Sequence, residues 1–173
     1  MEMMIMKVLA LVGSTRDGSV NKALVDAAIA ELPGTATATI YEGLENLPFY
    51  DGALEENVPA SVVAFRAAVA DADALIVATP EYNGSVSAVL KNAIDWASRP
   101  YGNGSITGKS VLVLAASPSP NGAKWAREDL VKILKVAQAV PLEEHFGHAN
   151  AFDGLQDEHR SELGRLVGDL VAA

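Results

Sequence analysis

Short apolar runs alternate with longer amphipathic stretches along the chain. Three of the runs are continuous and rich in Val and Leu: residues 8–12 (VLALV), 74–78 (ALIVA) and 111–115 (VLVLA). Continuous apolar runs of this length are typical of strands that are covered on both faces. They therefore predict three buried strands in the interior of a sheet.

The stretches between these runs repeat their apolar residues at helical spacing. Residues 19–32, 123–138 and 155–171 each place their apolar side chains on one helical face, and a similar face follows residue 87. The apolar positions are Val20, Leu24, Ala27 and Ala28, then Leu90, Ala93, Ile94 and Ala97, then Ala126, Leu130, Ile133, Leu134 and Ala137, and finally Leu163, Leu166, Val167 and Leu170. This spacing predicts amphipathic helices that cover the sheet.

Two weaker strand segments complete the pattern. Residues 35–41 alternate Thr with apolar residues, and residues 139–146 contain Pro141, which cannot donate to a central ladder. Both segments are therefore predicted as edge strands. The alternation of strands and helices predicts a parallel sheet with right-handed crossovers. The order 2-1-3-4-5 places both weak strands at the edges, so we predict a three-layer, doubly wound α/β fold with one domain over residues 1–173.

Composition and charge narrow the range of functions. The 173 residues include 13 Lys and Arg, 22 Asp and Glu and no Cys, which gives a formal charge of −9. This charge argues against nucleic acids and anionic membranes as partners. The lack of Cys excludes thiolate metal sites and Cys nucleophiles. Residues 1–6 lack the long apolar stretch of a signal peptide, and no run is long enough to span a membrane, so we expect a cytoplasmic protein.

The first candidate ligand site follows the first predicted strand. Residues 13–21 (GSTRDGSVN) place two glycines, the hydroxyls of Ser14, Thr15 and Ser19, the amide of Asn21 and the guanidinium of Arg16 directly before a helix. The helix N-terminus, which includes Val20, adds free N–H groups and a partial positive charge. We interpret this segment as a phosphate-binding loop. The simpler alternative is a helix cap at Ser19 beside a solvated Arg16.

The spacing within this loop indicates which phosphate it could hold. The dinucleotide fingerprint G-x-G-x-x-G is absent. The P-loop glycine spacing is present, but Ser19 stands where the P-loop has its Lys. Without that Lys, ATP or GTP hydrolysis is disfavoured. A single monophosphate is the ligand that the loop suits better.

A second candidate loop follows the next buried strand. Residues 80–87 (PEYNGSVS) combine a rigid proline, a flat Tyr82 ring and a glycine that permits an unusual turn. Taken alone, the segment is consistent with an ordinary turn. The carboxyl ends of parallel strands lie at one edge of the sheet, where open sheets bind ligands. The two loops together therefore suggest a mononucleotide that lies across the switch point.

These segments resemble the NADPH-dependent FMN reductase family, which includes bacterial quinone, azo and chromate reductases with a flavodoxin-like fold. The resemblance rests on residues 13–21, on residues 80–85 (PEYNGS) and on residues 90–100 (LKNAIDWASRP). It extends over most of the chain, from about residue 8 to residue 171. One departure is the third loop, residues 117–122 (SPSPNG), which has two prolines and one glycine where relatives often carry more glycine.

The resemblance implies a set of residues for FMN. Ser14, Arg16, Ser19 and Asn21 would hold the phosphate, with Thr15 and Val20 beside them. The isoalloxazine ring would be bordered by Pro80, Glu81, Tyr82, Asn83 and Gly84, and Ser117 would approach it from the third loop. No catalytic side chain and no metal ligand are expected, because the flavin carries the chemistry.

The resemblance also implies an enzyme that uses NADPH or NADH. Hydride would pass to FMN, and a quinone-like, azo, chromate or flavin acceptor would then enter the same cleft, giving ping-pong kinetics. A homodimer or homotetramer is expected, with small molecules as partners. Two other functions remain open: a flavodoxin-type FMN electron carrier without direct NAD(P)H oxidation, and a nucleotide-binding regulatory protein without redox chemistry.

Other chemistry-bearing segments have weaker signals. His145 and His148 form an H-x-x-H pair next to two carboxylates, but on a strand their side chains alternate faces, which disfavours a metal site. No G-x-S-x-G elbow supports Ser–His–Asp catalysis. Arg99 could serve the cofactor, a neighbouring subunit or only the surface. The acidic residues 42–56 are interpreted as a solvated connection, in which residues 47–50 could instead form a dimer contact.

Overall fold

A computed structural model describes residues 5–173, so the first four residues of the N-terminal segment 1–6 lie outside the described residues. Four strands form the body of the sheet: β1 (Met6–Val12), β2 (Ala36–Ile40), β3 (Ala74–Thr79) and β4 (Ser110–Ala116). All their pairings are parallel, and the order is β2-β1-β3-β4 with a fifth position beside β4. The predicted α/β fold and its strand order 2-1-3-4-5 are therefore confirmed.

The fifth position differs from the prediction. Residues 139–146 do not form one strand. Two short strands, β5 (Val140–Pro141) and β6 (Phe146–His148), both pair with β4. The residues between them include the exposed Glu143 and Glu144, and Glu144 pairs with Arg165 at 2.7 Å. Pro141 lacks an N–H, and the exposed Glu143 and Glu144 turn away from the core, so the strand is interrupted at the sheet edge.

Five helices cover the two faces of this sheet. They are α1 (Val20–Ala30), α2 (Ala60–Asp71), α3 (Ala88–Ala97), α4 (Lys124–Val136) and α5 (Asp157–Ala172). One core packs α2, α3 and α4 against the sheet around Phe65 and Trp96, both fully buried. The other packs α1 and α5 around Leu24 and Leu166. The three-layer arrangement follows from the parallel sheet, because every crossover must run over one of its faces.

The acidic segment 42–56 is more than a solvated connection. Its two short 3₁₀ helices, Leu44–Asn46 and Gly52–Glu55, turn the chain over α3, and Leu44 and Leu47 are buried in the first core. Glu42, Glu45 and Glu56 are exposed while the leucines pack inward, so the high charge of the segment does not exclude a contribution to the core. Among residues 5–173, no helix combines the length and apolar character that a bilayer span requires.

Candidate functional site

The loop after β1 is built around the N-terminus of α1. Ser19 caps the helix, and its hydroxyl accepts a hydrogen bond from the N–H of Lys22 at 3.3 Å. Gly18 before it has a φ of 67°, a conformation that glycine adopts without strain. Gly13 packs so closely that an added Cβ would lie 2.6 Å from the Ser87 hydroxyl. The loop therefore needs both glycines, one for its backbone turn and one for its contact with α3.

Asn21 ties this loop to the end of β4. Its side-chain amide donates to the carbonyl of Ala116 at 3.0 Å and accepts from the N–H of Ala116 at 2.8 Å. The side chain is 2% exposed. Sequence reasoning placed Asn21 among the phosphate donors, but the structure engages its amide with the strand. Its contribution is to hold the first loop and the third loop at a fixed separation.

Arg16 differs from Asn21 in both its exposure and its contacts. Its side chain is exposed, and within residues 5–173 it forms neither an ion pair nor a hydrogen bond. It lies next to the N-terminus of α1, where the first N–H groups have no acceptor inside the helix. An uncommitted guanidinium beside such a terminus creates a local positive field that favours an anion.

The second loop closes as a tight hairpin at its tip. Tyr82 and Ser85 exchange two backbone hydrogen bonds, of 3.0 and 3.1 Å, and the residues between them, Asn83 and Gly84, have φ values of 52° and 74°. This geometry corresponds to a type I′ turn, for which Asn-Gly is a preferred sequence. The turn leaves the N–H groups of Asn83 and Gly84 outside the pairing and presents a Tyr82 ring that is 56% exposed.

Glu81 connects the second loop to the third. Its carboxylate accepts hydrogen bonds from the N–H of Ala126 at 3.0 Å and from the amide of Asn121 at 3.4 Å. Ala126 lies in the first turn of α4. The N-cap residue of this helix, Ala123, has no side-chain atom that can accept a hydrogen bond. Glu81 thus caps a helix from a distant part of the chain. Sequence reasoning missed Asn121, although an Asn before Gly122 is a typical turn signal.

Ser117 stands at the beginning of the third loop. Its hydroxyl lies 2.9 Å from that of Ser119 and accepts from the N–H of Ser119 at 3.1 Å. Its own N–H donates to the carbonyl of His148 at 3.0 Å. These bonds order the proline-rich loop. Because the Ser119 hydroxyl donates its proton to Asn121, the Ser117 hydroxyl is the donor in its contact with Ser119.

The three loops meet around one cavity of about 180 Å³ at the carboxyl edge of the sheet. Nine of the twelve predicted cofactor-binding residues line it: Ser14, Arg16, Ser19, Val20, Asn21, Pro80, Glu81, Tyr82 and Ser117. Thr15 lines a neighbouring cavity of about 310 Å³, which shares Ser14 and Arg16. Asn83 and Gly84 form the tip of the second loop and line neither cavity. Ala116 and Pro118, which the sequence prediction did not include, complete the wall.

Arg99 lies outside this cavity and clamps the segment 47–55. Its Nε donates to the Tyr50 hydroxyl at 3.2 Å and lies 3.8 Å from the Glu55 carboxylate. The carbonyl of Pro48 accepts from the indole N–H of Trp96 at 2.7 Å. These contacts of Arg99 lie within the chain, a role that the sequence analysis did not consider. Phe49, between these anchors, is 82% exposed.

The H-x-x-H histidines point to different surroundings. The Nδ1 of His145 lies 2.6 Å from an Nη of Arg127, and the ring of His148 packs against that of His159 with centroids 4.9 Å apart. Burial lowers the pKa of both His145 and His148, and the charge of Arg127 lowers that of His145 further. Residues 5–173 contain no cluster of three His, Asp or Glu side chains with metal-ligand geometry.

A parallel sheet with a loop-lined cavity at its switch point defines a protein of the doubly wound α/β class, which binds its ligands beyond the carboxyl ends of the strands. Residues 6–153 match the sequence model of the NADPH-dependent FMN reductase family. The chain therefore belongs to this oxidoreductase family, whose cofactors are FMN and NAD(P)H.

Individual relatives agree with this membership. A 2-hydroxy-1,4-benzoquinone reductase of a Burkholderia species is 38% identical over 127 residues, which cover 73% of this chain and 69% of that protein. An NAD(P)H-dependent FMN reductase of Pseudomonas aeruginosa is 37% identical, covering 94% of this chain and 85% of that protein. Among solved structures, the flavoenzyme NAD(P)H:(acceptor) oxidoreductase FerB of Paracoccus denitrificans superposes with a TM-score of 0.86 at 30% identity, covering 97% and 96% of the two chains.

Proposed function

We propose that this chain is an NAD(P)H-dependent quinone reductase that holds FMN in the cavity between its three loops and works by a ping-pong cycle. The observation that carries the proposal is that one cavity brings together Arg16, the N-terminus of α1 and the two loops that follow β3 and β4. Bound FMN supplies the hydride chemistry between NAD(P)H and the acceptor. Quinone-like compounds are the preferred acceptors, with azo compounds, chromate and free flavin as further candidates.

The donors around the first loop fit a phosphate dianion. The Arg16 guanidinium is uncommitted, the hydroxyl of Ser14 forms no hydrogen bond within the described chain, and the first turn of α1 offers free N–H groups. Ser19 already accepts from Lys22, and its hydroxyl proton remains available for an anion. In this proposal Arg16, Ser14 and Ser19 bind the phosphate, Thr15 and Val20 flank it, and Asn21 positions them through β4.

The second and third loops fit a planar ring. Pro80 and Tyr82 line the cavity on one side and Ser117 on the other, while the turn at Asn83 and Gly84 has N–H groups that its own pairing does not use. These N–H groups lie at the tip of the loop, outside the cavity wall, and they would stabilise negative charge only on a ring that extends to the tip. Glu81 keeps the second loop against α4, so the width between the two loops is maintained.

The spectrum of the purified protein tests this function. We expect flavin absorbance that falls on anaerobic addition of NADPH or NADH and returns when a benzoquinone is added. Initial rates at several quinone concentrations should give parallel double-reciprocal lines, since one cleft serves both substrates in turn. A flavin that stays oxidised with both nucleotides would support the electron carrier instead. A colourless protein that takes up no FMN would support the regulatory alternative.

We further propose a cytoplasmic single-domain enzyme that forms a homodimer. Phe49, 82% exposed, stands between the anchored Pro48 and Tyr50, so its ring is held outward by a fixed segment. Tyr101, 66% exposed, lies near the same clamp through Arg99. Fixed and exposed aromatic rings are enriched at protein interfaces. Light scattering should show a dimer that Phe49→Ser weakens, and a monomer at every concentration would contradict this assembly.

A further inference from the structure

The second loop is attached to α4 at two points, one on each side of Tyr82. Before Tyr82, the Glu81 carboxylate accepts a hydrogen bond from the N–H of Ala126 at 3.0 Å. After Tyr82, the Ser85 hydroxyl donates to the carboxylate of Asp129. Ala126 and Asp129 are three residues apart in the sequence, so about one turn of α4 carries both attachments.

The attachment through Ser85 reaches Tyr82 by way of the backbone. The N–H of each residue donates to the carbonyl of the other, at 3.0 and 3.1 Å. Tyr82 lines the cavity between the three loops, whereas Ser85 does not. Because the Tyr82 residue is 56% exposed, packing alone does not fix its ring in the cavity wall. The position of Tyr82 therefore depends on where Ser85 is held.

Asp129 is suited to hold the Ser85 hydroxyl. Its side chain is 24% exposed, and hydrogen bonds from Lys132 and Ser85 lower its pKa, so the carboxylate is ionised at neutral pH. A hydrogen bond to an ionised acceptor is roughly twice as strong as one between neutral groups. The Lys132 side chain is 70% exposed, and ion pairs at such exposure contribute little. The hydrogen bond to Ser85 is therefore the contact of Asp129 on which the loop depends.

We propose that Asp129 is a positioning residue of the flavin site, which through Ser85 holds Tyr82 in the wall of the cavity. Asp129 lines neither of the two cavities at the loops, so it acts only through the second loop. This role rests on the proposed function, because it takes FMN as the occupant of the cavity. Since α4 begins directly after the third loop, the same helix then supports two of the three loops.

Amide hydrogen exchange of the apoprotein tests the attachment without any flavin. Asp129→Ala should raise the exchange rates of the Tyr82 and Ser85 N–H groups about ten-fold, because the loop then opens locally. The N–H groups of β3 should change much less. Asp129→Asn keeps an acceptor oxygen and should restore most of the protection. A rise in β3 as large as that in the loop, or unchanged rates at Tyr82 and Ser85, would overturn the proposal.

FMN titration of the same apoproteins measures the effect on the site. Asp129→Ala and Ser85→Ala should each weaken FMN binding about two- to ten-fold, the range for a side chain that must be ordered on binding. The double variant should be no weaker than either single variant, because both substitutions remove the same hydrogen bond. The visible circular dichroism of bound FMN should change in all three variants, which a loss of overall stability alone would not cause.

Glu128→Gln and Lys132→Gln are the matched controls. Glu128 is the neighbouring carboxylate on α4, exposed and 3.8 Å from Lys124, and Lys132 is the other partner of Asp129. Both variants should keep the wild-type FMN dissociation constant and dichroism. Additive losses in the double variant, or an equal loss in Lys132→Gln, would separate the effect from the Ser85 contact and overturn the proposal. A wild-type protein that takes up no FMN would overturn the proposed function instead, and the exchange rates would still show whether Asp129 holds the loop.

Discussion

The Asn21 side chain and the Ala116 backbone form a closed pair of hydrogen bonds, 2.8 and 3.0 Å long, across 95 residues of sequence. The pair joins the first turn of α1 to the last residue of β4. It therefore fixes the loop after β1 relative to the loop after β4. The Asn21 amide makes the two hydrogen bonds that a neighbouring strand would make with Ala116. It therefore satisfies the buried polar groups of Ala116 and also holds α1 against the end of β4.

Replacing Asn21 with Ala should therefore affect both stability and flavin binding. The buried N–H of Ala116 would lose its acceptor, at a cost of about 1–3 kcal/mol. The free energy of unfolding from urea titration of the apoprotein measures this loss, and FMN retention should fall in parallel. Asn57→Ala is the matched control, because Asn57 is exposed and its side chain forms no hydrogen bond within the described chain. Equal stability of the two variants would show that the pair contributes little.

Arg16→Ala should weaken FMN binding while the fold stays intact. A hydrogen bond to a charged group contributes about 1.5–3 kcal/mol, which corresponds to a roughly 10- to 100-fold higher dissociation constant. Quenching of FMN fluorescence by the apoprotein gives this constant, and circular dichroism checks the fold. Arg165→Ala removes another exposed Arg, one that lines neither of the two cavities at the loops, and should leave the FMN dissociation constant unchanged. Full flavin content of the Arg16 variant in dilute solution would remove Arg16 from the phosphate site.

Glu81 should matter for stability even without a ligand. Within residues 5–173, Glu81 supplies the only side-chain acceptor for the first turn of α4. Glu81→Ala should therefore cost about 0.5–2 kcal/mol, as the loss of an N-cap does. Glu81→Gln keeps an oxygen for the N–H of Ala126 and should retain most of that energy. Thermal unfolding of the two apoproteins shows whether the stabilisation comes from the hydrogen bond to Ala126 or from the negative charge of Glu81. Identical melting temperatures for both variants would contradict this role.

Gly13 should not tolerate a side chain. An Ala at this position would bring its Cβ within 2.6 Å of the Ser87 hydroxyl and 3.0 Å of the Leu90 Cβ. Overpacking of this kind costs typically about 1–3 kcal/mol. Gly34→Ala is the control, because nothing lies within 4 Å of its added Cβ. Urea unfolding should therefore show a loss for the first variant and little change for the second.

Stability should fall on acidification below the ordinary His value of 6.5. The pKa values of His145 and His148 are lowered in the folded chain, chiefly by burial, with Arg127 and His159 acting in the same direction and the acidic Glu128 and Asp153 against it. The unfolded chain then gains protons first as the pH drops through 6.5, so the free energy of unfolding decreases until the lowered folded pKa values are reached. Above 6.5 this contribution is fully present.

Urea titrations across this pH window measure the effect. His145→Gln should flatten the dependence, because one of the two groups no longer titrates. Lys135→Gln, at an exposed position in the last turn of α4, should keep the full slope. A wild-type stability that is constant through the window would rule out the lowered pKa values.

The buried strands were predictable because β1, β3 and β4 have no polar face to confuse the pattern. Two elements were harder to predict from the sequence. α2 carries Ala and Val around most of its circumference, so its sequence has weak helical periodicity. The fifth strand was predicted as continuous because Pro141 alone does not reveal where Glu143 and Glu144 would point.

The residues of the cavity could be predicted from the sequence where a tight turn or a helix end requires a particular residue type. Gly18, Ser19 and the Asn83-Gly84 pair have local signatures, since they are required by a turn or a helix end. The roles of Asn21 and Glu81 depend on partners in β4 and α4, at distances along the chain that no local pattern encodes. Their residue types predict ligand contacts, and their tertiary bonds add a positioning role that the sequence did not indicate.

The interrupted outer strand has a consequence for how this protein meets other chains. β5 offers two residues and β6 three, separated by a carboxylate-rich bend, so a foreign strand finds no continuous ladder to extend on that side. Natural sheets use short, charged and proline-containing borders to prevent edge-to-edge aggregation. The interruption at Pro141 therefore disfavours strand-to-strand growth on this side of the sheet.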